Sequence, residues 1–147
     1  MKKILVATDG SQTANKALGY ALQLAEALPV EVTVLSVAHD VPIAMGHEGV
    51  SAVEMARFHD TIKESMEKSA QEALDQAQKI FAAKGITVST KLGTGDPARV
   101  IAEVAEQEGF EQVIIGSRGL GGLKGMFLGS VSNKVVNSVN ANVTVIR

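Results

Sequence analysis

Gly116, Gly119, Gly129 and Ser130 have the types and spacing to hold an anion: Gly-x-x-Gly, nine residues, then Gly-Ser. Glycines let a backbone turn sharply and approach a ligand closely, with no Cβ in the way. A helical pattern begins at Ser130, and a helix start carries unpaired N–H groups and a partial positive charge. Ser130 and Ser132 add hydroxyls beside those amides, and the apolar run Val113-Ile114-Ile115 leads into the loop. Together these parts make a phosphate cradle. The plain alternative is a flexible strand-to-helix connection with its own capping serine. Six glycines in the fourteen residues from Gly116 to Gly129 are a heavy entropic cost for a connection alone, which favours a ligand.

The loop is not a Walker A sequence, because Gly-x-x-x-x-Gly-Lys-Ser/Thr occurs nowhere in the chain. Arg118 and Lys124 within the loop and Lys134 one turn into the helix are cations near the cradle, although such side chains are more often solvated. Asp9 follows the first apolar run and has two compatible readings. It accepts from ligand hydroxyls or helps hold a divalent ion, or it closes an Asx turn into the first helix. Gly93-Thr94-Gly95-Asp96-Pro97-Ala98 fits Gly-x-Gly-x-x-Ala, a dinucleotide fingerprint, but sits after the third strand rather than the first. A helix capped by Asp96 with Pro97 in its first turn explains the same residues. His39, His47 and His59 include no pair at helix-face i, i+4 spacing, so a zinc site is not supported. His39 follows the second strand and belongs at a ligand rim. Gly-x-Ser-x-Gly is missing, and no catalytic residue is assigned.

These residues need a scaffold, and the hydrophobic pattern supplies one. Ile4 to Ala7 is a continuous apolar run, the mark of a strand buried on both faces. Ala14, Ala17, Leu18, Ala21, Leu22, Ala25 and Leu28 recur at helical spacing until Pro29. Val30 to Val37 reads as a second strand, 38–51 as a loop, and Ser51 to Lys84 as a long helix stopped by Gly85. The charged residues Glu54, Arg57, Asp60, Lys63, Glu64, Glu67 and Lys68 read as its solvated face, and Met45, Met55, Phe58 and Met66 as a core or dimer stripe. Ile86, Val88 and Thr90 alternate into a third strand. A helix through Ile101, Val104 and Ala105 follows, then the strand Val113–Ile115, the helix from Ser130, and a fifth strand from Val143 to Ile146. Strands alternating with helices specify an open parallel sheet with helices on both faces, a Rossmann-like α/β domain. In such sheets ligands sit beyond the carboxyl ends of the strands, where Asp9, Val37 and the glycine loop all fall.

Composition removes several function classes. Cysteine is absent, which excludes disulfides, thiol catalysis and thiolate metal sites. A net charge of −2 and 3% aromatic residues argue against nucleic acid as a partner. No apolar run approaches a membrane span, and Asp9 follows the first apolar stretch too soon for a signal peptide. One cytoplasmic domain over residues 1–147 is expected.

The order strand, Gly-x-x-Gly, nine residues, Gly-Ser, helix resembles the universal stress protein family, and the match covers essentially the whole chain. The opening Ile4-Leu5-Val6-Ala7-Thr8-Asp9-Gly10-Ser11 and the closing Val143-Thr144-Val145-Ile146 support it. The resemblance implies a sheet of order 3-2-1-4-5 and, in the motif-bearing branch, ATP with Mg2+ or Mn2+ as its counterion. It places Ala7, Thr8 and Asp9 beside adenine and ribose and Val37 against the base. Gly116, Gly119, Gly129, Ser130, Val131 and Ser132 go to ribose and phosphates, with Ile115 at the mouth of the loop. It further implies a homodimer through the last strand and a role in stress survival and signalling. A slow ATPase or phosphoryl-transfer enzyme, and a dimerisation module with an empty loop, are the alternatives. The chain departs from the family where Ala7 and Asn142 replace frequent prolines and where Phe110-Glu111-Gln112 replaces a frequent Asp before the fourth strand.

Overall fold

A computed structural model describes residues 1–42, 48–119 and 128–147. Its elements, in chain order, are β1 (Lys2–Ala7), α1 (Gln12–Ala27), β2 (Val30–His39), α2 (Ala52–Ala82), β3 (Ser89–Gly95), α3 (Pro97–Gln107), β4 (Gln112–Gly116), α4 (Ser130–Ser138) and β5 (Asn142–Ile146). The five strands form one parallel sheet of order β3-β2-β1-β4-β5. Alternation along the central strands builds two cores. Ile4, Val6, Val32, Val34 and Ile114 pack with Ala17, Leu18, Leu74, Ala77 and Phe81 of α1 and α2. Leu5, Ala7, Leu35, Val113 and Ile115 pack with Ile101, Ala105 and Val135 of α3 and α4. Burial on both faces is why β1 reads as an uninterrupted apolar run.

The helix starts carry the expected chemistry. Ser11 Oγ accepts from Ala14 N–H at 3.3 Å, and Asp96 Oδ2 accepts from Arg99 N–H at 3.0 Å with Pro97 in the first turn. Ser51 and Glu54 form a reciprocal capping box. Arg99 bonds Glu103 one turn along; that hydrogen bond, then its charge, raises the guanidinium pKa. No helix among the described residues is long and apolar enough to cross a membrane.

Two boundaries and one burial pattern differ from the sequence reading. Strand β2 continues through Ala38 and His39, residues that the pattern assigns to a loop. The third strand lies at Ser89–Gly95 rather than Ile86–Thr90, in register from Thr33↔Ser89 to His39↔Gly95. Gly93 and Gly95, which resemble turn punctuation, sit inside it because α3 packs close. A Cβ on Gly93 would stand 2.7 Å from Val100 Cγ1. That contact accounts for Gly93, and a φ of +130° accounts for Gly95, so the Gly-x-Gly spacing has a packing and backbone origin without a dinucleotide. Lastly, α2 buries residues only from Ala70 onward; Phe58 is 65% exposed and Met66 39%, so neither belongs to the core. Met45 lies outside the described residues. At the family departure Asn142, the backbone N–H donates to Glu111 O at 3.1 Å, a bond that proline could not make.

Candidate functional site

The chain leaves β1 toward α1 and β2 on one side of the sheet, while β4 lies on the other side of β1. This reversal of strand order opens a crevice at the carboxyl ends of β1 and β4. A cleft of about 260 Å³ occupies it. Its walls include Ala7, Thr8 and Asp9 from the end of β1, Val37 from β2, and Ile115 and Gly116 from β4. Gly119, Gly129, Ser130, Val131 and Ser132 complete the set, so every residue expected at the site lines one cleft.

The glycines do different work. At Gly116 an added Cβ would stand 2.7 Å from both the Thr13 carbonyl carbon and Thr13 Oγ1, and 2.8 Å from Ala14 N. Gly116 therefore lets the start of α1 rest on the end of β4, a packing requirement beside the cleft. Gly116→Ala is expected to cost about 1–3 kcal/mol, because backbone atoms must move; chemical unfolding measures it. At Gly119 a Cβ would stand 2.6 Å from Asp9 Oδ2, so the missing side chain lets the loop reach the end of β1. At Gly129 a Cβ would meet Arg118 Cα and Ser117 O, both at 3.3 Å. Gly129 N–H also donates to Ser117 O at 2.6 Å, which joins the two ends of the loop.

Hydroxyls secure the same junction. Ser132 is 2% exposed, and its Oγ donates to Ser117 O at 2.8 Å, with Gly129 O at 3.1 Å. Thr13 Oγ1 donates to Arg118 O, which ties the first turn of α1 to the loop. Asp9 Oδ1 accepts from Ser11 N–H at 2.9 Å, the Asx turn anticipated for this residue. Helix α4 is different: its N-cap is Gly129, and no side chain caps it. The N–H groups of Ser130, Val131 and Ser132 lack acceptors within the helix. These three residues line the cleft, so the positive end of α4 lies at its wall.

The cleft thus has two characters. Ala7, Val37, Ile101, Ile115 and Pro97 make an apolar part, while Gly116, Arg118, Gly119 and 129–132 contribute polar backbone groups and hydroxyls. Arg118 and His39 lie at the wall as well, the latter at the expected rim. Lys134 is exposed on α4 and does not line the cleft, and Lys124 and His47 lie outside the described residues. His59 is instead engaged near Val41 O, with its Nε2 2.7 Å away. Among the described residues, no group of three or more His, Asp and Glu side chains could hold a metal ion. Sequence reasoning missed Ala14, Pro97 and Ile101 as lining residues. Ile101 is 2% exposed, and its spacing on α3 is that of any core residue. The signal was its place one turn beyond the Asp96-Pro97 helix start, at the same sheet edge as Val37.

The model of the family described as "Universal stress protein family" matches residues 1–147. The chain belongs to this family. It is 34% identical to Universal stress protein YxiE of Bacillus subtilis over 145 residues, covering 99% of this chain and 98% of that protein. The solved structure of MJ0577 from Methanocaldococcus jannaschii is 30% identical, with a TM-score of 0.80, covering 99% of this chain and 94% of that chain. A universal stress protein from Archaeoglobus fulgidus, solved in complex with dAMP, shares the fold at 21% identity and a TM-score of 0.67. That alignment covers 100% of this chain and 98% of that chain.

Proposed function

We propose that residues 1–147 form one nucleotide-binding domain and that its ligand is ATP, held as a signalling switch of the stress response. The observation that carries this reading is a cleft that joins apolar side chains to an uncapped helix start. Adenine occupies the apolar part, against Val37, Ile101 and Ile115. The phosphates accept from the amides at 130–132 and from the Ser130 hydroxyl, where helix charge favours an anion. The A. fulgidus relative solved with dAMP supports an adenine nucleotide as the class of ligand. Asp9 is placed to accept from ribose hydroxyls, and Mg2+ or Mn2+ accompanies the phosphates as their counterion.

The working form is a cytosolic homodimer joined through β5. This strand ends the sheet, and pairing with its two-fold copy would cover its open edge. Phosphoryl transfer needs neutralised phosphates and a positioned nucleophile. The described wall offers one carboxylate, Asp9, already accepting from Ser11 N–H, and one firmly cationic side chain, Arg118. Any hydrolysis is therefore expected to be weak, below roughly 1 per second, the lower end of ordinary enzyme turnover. Hydrogen exchange tests the switch. ATP is expected to protect amides between Gly116 and Ser132, and unchanged exchange at saturating ATP would contradict the proposal.

A further inference from the structure

Where the loop leaves β4, two successive carbonyls are held from opposite faces of the sheet. Helices α1 and α2 pack on one face, and α3 and α4 on the other. From the α4 side, Gly129 N–H and Ser132 Oγ donate to Ser117 O at 2.6 and 2.8 Å. From the α1 side, Thr13 Oγ1 donates to Arg118 O. Ser11 Oγ stands 3.5 Å from the same oxygen, at the outer limit of a bond, and it also caps α1 by accepting from Ala14 N–H. Thr13 is therefore the residue that fixes the Arg118 carbonyl. It is 9% exposed, and its hydroxyl donates to the loop rather than to its own helix.

The described peptides are all trans, and a trans peptide holds its C=O and N–H antiparallel. With Arg118 O turned toward α1, Gly119 N–H is turned toward the opposite face, where α4 begins. The positions agree: a Cβ on Gly129 would stand 3.8 Å from Gly119 N. Gly119 and Gly129 line the same cleft as Ser130, Val131 and Ser132. The Gly119 amide thus joins the amides at the start of α4 on one wall.

We propose that Thr13 is a positioning residue of the nucleotide site, holding Arg118 O on the α1 face so that Gly119 N–H is aimed at the phosphates. This role rests on the reading of the cleft as a nucleotide site. Thr13 does not line the cleft, so it acts only through this peptide. A hydrogen bond weakens steeply once its angle falls below about 120°, so a rotation of the Arg118–Gly119 peptide takes the amide off the phosphate. The Thr13 hydroxyl resists that rotation.

Thr13→Val keeps the shape of the side chain and removes the hydroxyl, whereas Thr13→Ser keeps the hydroxyl. Calorimetry on the full chain is expected to show ATP affinity lowered about tenfold in Thr13→Val, the loss of one hydrogen bond to a charged group. Thr13→Ser should stay within about threefold of the parent. Amide NMR adds a readout that lost packing alone would not give. On saturation with ATP the Gly119 amide signal of the parent should move. In Thr13→Val that movement should shrink, while the movement at Val37, at the base end of the cleft, is retained. Parental affinity in Thr13→Val, equal losses at Gly119 and Val37, or Thr13→Ser as weak as Thr13→Val would each overturn the proposal. So would a Gly119 amide in the parent that saturating ATP leaves unmoved, a result that requires no variant to fold. A parent chain that binds no ATP would instead overturn the nucleotide reading itself, and the role of Thr13 with it.

Discussion

Gly129→Val combined with Ser130→Ala is expected to lower ATP affinity at least about a hundredfold, or about 2.8 kcal/mol. Gly129 has φ −72° and ψ 171°, a conformation open to any residue, so the effect does not come from backbone strain. It comes from space. A Cβ there already meets Arg118 Cα and Ser117 O at 3.3 Å, and the valine methyl groups push further. The bond from Gly129 N–H to Ser117 O, which closes the loop ends, must lengthen. Removal of the Ser130 hydroxyl then takes a donor from the phosphate wall. Because 129 and 130 lie at the surface end of α4, stability should fall only modestly, by about 1 kcal/mol. Calorimetric titration with ATP, beside an unfolding curve, separates the two effects. Full affinity in the double variant would mean that the cradle holds no phosphate.

Phe81→Ala should have the largest effect on stability. Phe81 is 0% exposed and closes the core between α2, α1 and the sheet, against Ile4, Leu18 and Val34. Removing the ring loses its transfer free energy and leaves a cavity, at a cost of about 3–5 kcal/mol. For a domain of this size that lowers Tm by about 10 °C. The side chain lies on the α1–α2 face, whereas the cleft opens with α3 and α4. ATP affinity of the folded fraction should therefore change less than about threefold. A variant that melts as the parent does would contradict the assignment of this core.

Most of the architecture could be read because the central strands have both faces buried. Ile4 to Ala7 and Val113 to Ile115 carry no polar residue, and runs this short, bounded by turn signals, suit an interior parallel strand. The site was legible for a related reason: Gly119 and Gly129 are glycines on account of neighbours, Asp9 and Ser117, that meet them only in the fold. The third strand was misplaced because an edge strand lacks that signal. Lys91 and Leu92 are half-exposed or exposed there, and Gly93 answers to Val100 rather than to a turn. Ile101 was overlooked because a residue buried under a cleft and one buried in a core share the same periodicity. The first half of α2 was ambiguous between core and interface, since spacing records that a face is apolar but not what covers it.

The central claim is that the cleft between β1 and β4 holds ATP. The most direct test is to denature the purified protein, identify any nucleotide released, and titrate the refolded chain with ATP by calorimetry. Released adenine nucleotide, or saturable heat with one site per chain, is the result the account predicts. Neither release nor heat, from a chain shown to be folded, would contradict it and reduce the glycine loop to a connection between β4 and α4.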